Sequence, residues 1–273
     1  MALEIHEKRL SERNYLTEEH KKTSIFIHHT AGAHNPINTI LGWEGDTRGR
    51  VATAFVIGNK SSDGLDKQYD GKIYRCFDEA KWAYHLGIPD SGGRLDKTAI
   101  GIELCSFGFL RKAGSKYFTY VNTELKDKTA VTKLTKSFRT FDYYHSYSDA
   151  QLESLRLLLL DLGKRFKIDL KAGLQEWIKK EKLKMPAAMN TTRKKQQWLR
   201  DNGFVGLDGK LIVADGISGE NTKHALSCIG KSAFEYNTAC FYGAPGLWTH
   251  TNVRTDKFDC FPQEALKQMI LSL

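Results

Sequence analysis

The chain has 273 residues, 41% of them hydrophobic and 27% charged, with a formal charge of +9 and a pI near 9.2. That is enough chain for one large domain or a domain plus a small module, and the composition is that of an ordinary globular protein rather than a disordered or fibrous one. No apolar run reaches the roughly 18 residues that a bilayer-spanning helix needs, and the longest, Leu155 to Leu162, contains Arg156 and Asp161.

The five cysteines, Cys76, Cys105, Cys228, Cys240 and Cys260, are odd in number and form no CxxC pair. Neither a disulfide framework nor a cysteine-rich zinc knuckle is expected from that spacing, and the thiols suit a reducing compartment. Charges interrupt the first ten residues where a secretory signal would need an apolar core. The expectation is a protein made in the cytoplasm without a signal peptide. Its basic charge favours an anionic partner; no nucleic-acid-binding motif accompanies it, so no nucleic acid is expected, and an anionic cell envelope is the other candidate.

Residues 1–23 read as a polar, helical lead-in with Glu4, Glu7, Lys8 and Arg9 on a solvated face. Ser24-Ile25-Phe26-Ile27-His28-His29 is then a short run of β-branched and aromatic residues, which pack well on a pleated surface, so it predicts a buried strand with histidines at its rim. Val51 to Ile57 predicts a second strand, and Asp70-Gly71 opens a third over Lys72 to Phe77 after a hairpin-type turn. Tyr84-His85-Leu86-Gly87 follows. Ala99-Ile100-Gly101-Ile102-Glu103-Leu104 predicts a fourth strand with one carboxylate in an apolar run, a costly placement unless that group has a partner or a task.

Ser148 to Phe166 carries leucines at 152, 155, 158, 159 and 162, the spacing of one helical face, with Ser148 as the cap and Gln151 placed as in a capping box. Lys112 to Tyr147, rich in Lys, Thr and Tyr, yields no element assignment. Residues 172–245 read as a separate helical unit between a first core part, 1–171, and a last one, 246–273. It opens on a basic amphipathic helix at Leu174, and contains a helix ending at Gly203, an Asp215-Gly216-Ile217-Ser218-Gly219 turn, and a second helix started by Thr222. A last strand reaches His250, and a terminal helix begins at Gln263.

His28 at one strand end, His250 at another, and Asp259 or Cys260 just beyond it form a candidate metal set. Zinc takes N, O and S ligands tetrahedrally, and a catalytic site uses three from the protein.

Ile27-His28-His29-Thr30-Ala31, Tyr84-His85-Leu86-Gly87, Ile100 to Leu104, and His250 with Lys257-Phe258-Asp259 occur in this order. Together they resemble the zinc-dependent N-acetylmuramoyl-L-alanine amidases of the type-2 group, which includes phage enzymes, bacterial recycling amidases and animal peptidoglycan recognition proteins. The resemblance covers residues 24–110, 148–166 and 247–262. It implies an α/β fold with a mixed central sheet flanked by helices, a zinc ion in a cleft, and peptidoglycan as substrate.

Carried over residue by residue, it implies His28 and His250 as ligands and Glu103 as general base. Lys257 would hold the oxyanion, and His85 would touch substrate. The third ligand is Asp259 if the recycling-type spacing after Lys257 applies, or Cys260 on the phage and animal pattern, although here Phe261 separates Cys260 from Pro262. Thr53 stands where some phage members carry a tyrosine. Residues 190–230 resemble a small three-helix peptidoglycan-binding domain, which implies an all-α insertion in the catalytic core. The settings this implies are a phage endolysin, a tail-like or injection system, or a recycling enzyme, acting on the cell wall after release or delivery. A recognition protein of the same fold that binds without cutting is the alternative.

Overall fold

The computed structural model describes residues 2–47, 49–88 and 92–273. Its strands are β1 (Ile5–Glu7), β2 (Ser24–His29), β3 (Phe55–Ile57), β4 (Ile73–Arg75), β5 (Ala99–Leu104), β6 (Phe109–Ala113), β7 (Lys116–Phe118), β8 (Glu124–Leu125), β9 (Val131–Phe138), β10 (Phe141–His145) and β11 (Gly246–Thr249). The helices are α1 (Pro36–Glu44), α2 (Arg94–Thr98), α3 (Asp149–Phe166), α4 (Leu174–Lys180), α5 (Thr192–Asp201), α6 (Glu220–Ser227), α7 (Thr238–Phe241) and α8 (Glu264–Leu271).

A six-stranded sheet in the order β1-β4-β3-β5-β2-β11 forms the centre. It is mixed: β3 and β4 pair antiparallel, and β3, β5, β2 and β11 run parallel. Side chains alternate between the faces of a strand, so the apolar runs in β2 and β5 divide between two cores. Ile25, Ile27, Ile100, Ile102 and Leu247 face α3, α4 and α8 in the main core, whereas Phe26, Ala99 and Trp248 face a smaller cluster with Leu86, Leu95 and Cys240. The mixed sheet flanked by helices is the α/β architecture expected from the sequence.

All five leucines of the α3 stripe are buried, each contributing roughly 1.5–3 kcal/mol of apolar burial. Ser148 caps the helix, its hydroxyl accepting from the Gln151 amide at 3.0 Å. Gln151 does not complete a capping box. Its side chain turns inward and donates to the carbonyls of Ile57 (2.9 Å) and Cys105 (3.2 Å), because the ends of β3 and β5 leave those acceptors buried.

Four sequence expectations need correction. The lead-in is not helical: Ile5–Glu7 pairs parallel with Ile73–Arg75, and Glu7 meets Arg75 across that pair. β3 and β4 are joined by a long loop rather than a tight hairpin, and β3 begins at Phe55. Helix α6 starts at Glu220, so Thr222 lies inside it, where its hydroxyl accepts from Gln196 at 3.0 Å.

The stretch without an assignment, 112–147, contributes most of a second, antiparallel sheet, ordered β8-β7-β6-β10-β9. One face buries Leu110 and Leu125 with Phe107, and the β9–β10 turn passes through Arg139 and Thr140, both at positive φ. The helical segment has its own small core of Leu199, Phe204, Ile212 and Ala225. Buried Gln196 ties it together: its side-chain amide donates to Asp215 and the Ile217 carbonyl, both at 2.8 Å, and its carbonyl accepts from the Gly216 amide at 2.7 Å. Helix α4 packs on the main core, where Gln175 donates to the Ile270 carbonyl, and Cys240 of α7 joins the smaller cluster behind β2 and β11.

Candidate metal centre

The register of the parallel strands assembles the site. His28 on β2 lies opposite Glu103 on β5, and Thr249 on β11 lies opposite Ile27, which places His250 beside His28 one step past the strand end. All three side chains therefore sit in one row at the carboxyl ends of adjacent parallel strands, where open α/β sheets offer their clefts. Alternation sends His29 to the opposite face, where its Nδ1 lies 2.9 Å from the buried Tyr147 hydroxyl.

Asp259 closes the set. Its Oδ2 lies 2.9 Å from His250 Nδ1 and 3.2 Å from His28 Nδ1, and one ligand atom from each of the three residues falls within 4.8 Å of the others. The Thr251 amide donates to the Asp259 carbonyl at 3.0 Å, so the segments carrying His250 and Asp259 are bonded together. Cys260, fully buried, faces the other way, with its thiol beside the Tyr147 hydroxyl.

The far nitrogens of both histidines are fixed by neighbours in sequence. His250 Nε2 lies 2.8 Å from the Leu86 carbonyl, which can only accept, so the proton sits on Nε2 and Nδ1 presents a lone pair. That lone pair facing a carboxylate oxygen at 2.9 Å requires a positive charge between them, from a second proton on the ring or from a metal ion. His28 Nε2 lies 2.9 Å from His85 Nδ1. Asp96 holds the segment carrying both supports, its Oδ1 accepting from the His85 amide at 2.8 Å and the Leu86 amide at 3.0 Å. The His85 side chain is thus buried behind His28, 4% exposed. Gly101 makes room for it: a Cβ there would come within 3.2 Å of the His85 ring and 2.8 Å of Thr53.

Electrostatics fit a divalent cation. Burial, reinforced by His250, lowers the His28 pKa to about 4 against the pull of Asp259, so the ring is a neutral donor at pH 7. Burial raises Asp259, but His250 and His28 outweigh it and hold the carboxyl well below the usual range. Glu103 is pushed well above its ordinary value by burial and by Asp259, against Lys257. Its Oε2 is buried with no hydrogen-bond partner among the described residues. Lys257 is half-buried, and its charge bears on both Glu103 and His28. Two imidazoles and one carboxylate are a suitable donor set for zinc.

Away from this group, burial lowers His29 to about 4 and His145 to about 3. Between those values and the ordinary 6.5 the unfolded chain binds more protons than the folded one, so stability present above pH 6.5 falls on acidification. The buried His145 alone is expected to remove about 3 kcal/mol by pH 4. His145→Asn keeps an acceptor for the Phe107 amide. Urea midpoints of the two proteins, each with chelator, should converge as pH drops from 7 to 4; parallel profiles would contradict the assignment.

Sequence reasoning named the residues that point into the row but missed what holds them. The Leu86 carbonyl and Asp96 lack a motif of their own, although Tyr84-His85-Leu86-Gly87 carries the two residues whose groups meet the histidines.

Residues 19–191 match the family model described as N-acetylmuramoyl-L-alanine amidase. The match contains His28, His85 and Glu103 and stops where α5 begins, so His250, Lys257 and Asp259 lie beyond it. No curated protein matches the chain. Similar solved structures include a mutant endolysin from Bacillus subtilis, 14% identical over 62% of this chain and 80% of that one, TM-score 0.38. Another is the amidase AmiD from E. coli in complex with anhydro-N-acetylmuramic acid-L-Ala-D-gamma-Glu-L-Lys, 19% identical over 68% of this chain and 59% of that one, TM-score 0.35. The endolysin amidase LysCS from Clostridium intestinale URNW is 18% identical over 62% of this chain and 78% of that one, TM-score 0.31.

Proposed function

The chain belongs to the N-acetylmuramoyl-L-alanine amidase family, and on that premise we propose that it is a zinc-dependent hydrolase cleaving the amide between N-acetylmuramic acid and L-alanine in peptidoglycan. The observation that carries this reading is the group of His28, His250 and Asp259 with Glu103 next in register, its Oε2 without a hydrogen-bond partner among the described residues.

His28 and His250 through Nδ1, and Asp259 through a carboxylate oxygen, are the residues that would hold zinc. Bound there, zinc supplies a Lewis acid for the scissile carbonyl and acidifies water near neutrality. Glu103 takes the proton of the attacking water and delivers it to the departing L-alanine amine, a role suited to a carboxylate whose surroundings make it a stronger base. Lys257 offers its ammonium to the oxygen that becomes negative as the carbonyl is attacked. His85 acts behind His28, orienting the ring, rather than as a direct contact to substrate.

The helical unit around Leu199, Phe204 and Ala225 serves in this reading as a second hold on the polymer, raising the local concentration of glycan at the cleft. The formal charge of +9 favours the same anionic envelope. A wall-lytic role, as an endolysin or part of an injection system, accounts for both features.

Purified protein incubated with intact sacculi tests the proposal, with products read by mass spectrometry. The expected result is chelator-sensitive release of stem peptides bearing free L-alanine amines. Tight binding without new amines would make the chain a recognition protein. Cleavage within the stem would make it a peptidase.

A further inference from the structure

The turn between β9 and β10 belongs to the outer sheet, yet it reaches the segment between the metal-set residues His250 and Asp259. Arg139, at that turn, is 15% exposed. Its Nη1 donates to the Thr255 carbonyl at 2.8 Å, and its Nη2 points to the carbonyls of Thr251 (3.4 Å) and Arg254 (3.5 Å) and to Glu235 (3.4 Å). A planar guanidinium can span acceptors in this way because its donors are fixed in a fork, which a lysine ammonium cannot reproduce.

The same sheet grips the segment a second time, where the Phe258 ring lies 5.1 Å from that of Phe109 and 5.7 Å from that of Phe141. Phe258 separates Lys257 from Asp259, so seating its ring fixes the backbone from which both functional side chains project.

We propose that Arg139 is a positioning residue for the reaction, clamping residues 251–255 so that Asp259 completes the metal set and Lys257 faces the cleft. This rests on the zinc amidase reading above and assigns the outer sheet a part in it. The carbonyls that Arg139 engages are acceptors in a short stretch with exposed residues at 255 and 256. Without the guanidinium that stretch keeps its fold but loses its fixed distance to β2.

The test measures zinc affinity by competition with a chromophoric chelator, together with kcat and KM on soluble muropeptide, for wild type, Arg139→Ala and Arg139→Lys. Metal-free melting curves serve as the control for folding. Loss of an outer support typically costs about 10–100-fold in metal affinity or activity. That loss is expected in Arg139→Ala as weaker zinc binding and lower kcat with KM little changed, and Arg139→Lys should recover only a small part of it. Zinc affinity and kcat within twofold of wild type in both variants would overturn the proposal, even if melting temperatures fall. If Arg139→Ala does not fold, Arg139→Lys decides on the same criterion. Wild-type protein that binds no zinc would instead overturn the metal reading itself, and this proposal with it.

Discussion

Glu103→Gln should lose roughly 10²–10⁴-fold in kcat while binding zinc as wild type does, the range by which a positioned general base accelerates proton transfer. The substitution keeps size and shape and removes only the ability to take a proton. Glu103 lies in register between Val56 and His28 on the neighbouring strands, and its Oε2 is buried with no hydrogen-bond partner among the described residues. An ionised carboxylate held there is costly. The neutral variant is therefore expected to melt at the same temperature or higher, the usual exchange of activity for stability at a catalytic group. Measured zinc stoichiometry, kcat and melting temperature check the three parts together. A variant that turns over normally would remove Glu103 from the mechanism.

The second large effect concerns the neighbouring pair Asp259 and Cys260. Asp259→Ala leaves two histidines, one short of the three protein ligands of an ordinary catalytic zinc site. Zinc affinity is expected to fall by more than the roughly 10–100-fold that loss of a mere supporting bond costs, with activity falling in step. Cys260→Ser should leave zinc binding unchanged, because the thiol lies beside Tyr147 on the other side of the backbone. Its cost would appear in stability alone, since Cys260 is fully buried. The reverse pattern, zinc lost with Cys260 and kept without Asp259, would reassign the ligand.

The strands that carry the site were legible because β2 and β11 are short apolar runs ending on polar residues and β5 is an apolar run broken by one carboxylate, and α3 because five leucines repeat at helical spacing. Whether His28 or His29 faces the cleft is less accessible to composition, since both follow the same apolar run. It is decided by register, with His28 opposite Glu103 and His29 opposite Leu104. The choice between Asp259 and Cys260 similarly depends on which way consecutive side chains leave the backbone.

The outer sheet escaped detection for a different reason. Its strand β9, Val131-Thr-Lys-Leu-Thr-Lys-Ser-Phe138, exposes Lys133, Thr135, Lys136 and Ser137, and its few apolar residues are split between two cores, Val131 with the sheet's own cluster and Leu134 and Phe138 with the main core. Such strands lack the alternation that marks a half-buried one. The N-terminal strand was missed because its partner, β4, lies some seventy residues away, and local charge patterning favours a helix where long-range pairing makes a strand. Of the supports for the candidate metal set, the Leu86 carbonyl is a backbone group that no side-chain pattern announces, and Asp96 acts through the backbone amides of His85 and Leu86.

Diffraction from crystals grown with zinc, recorded on both sides of the zinc absorption edge, tests the central claim most directly. The account predicts one strong anomalous peak about 2.0–2.2 Å from Nδ1 of His28, Nδ1 of His250 and a carboxylate oxygen of Asp259, with Glu103 facing the remaining side. No peak at that position, or a peak ligated by Cys260, would contradict it.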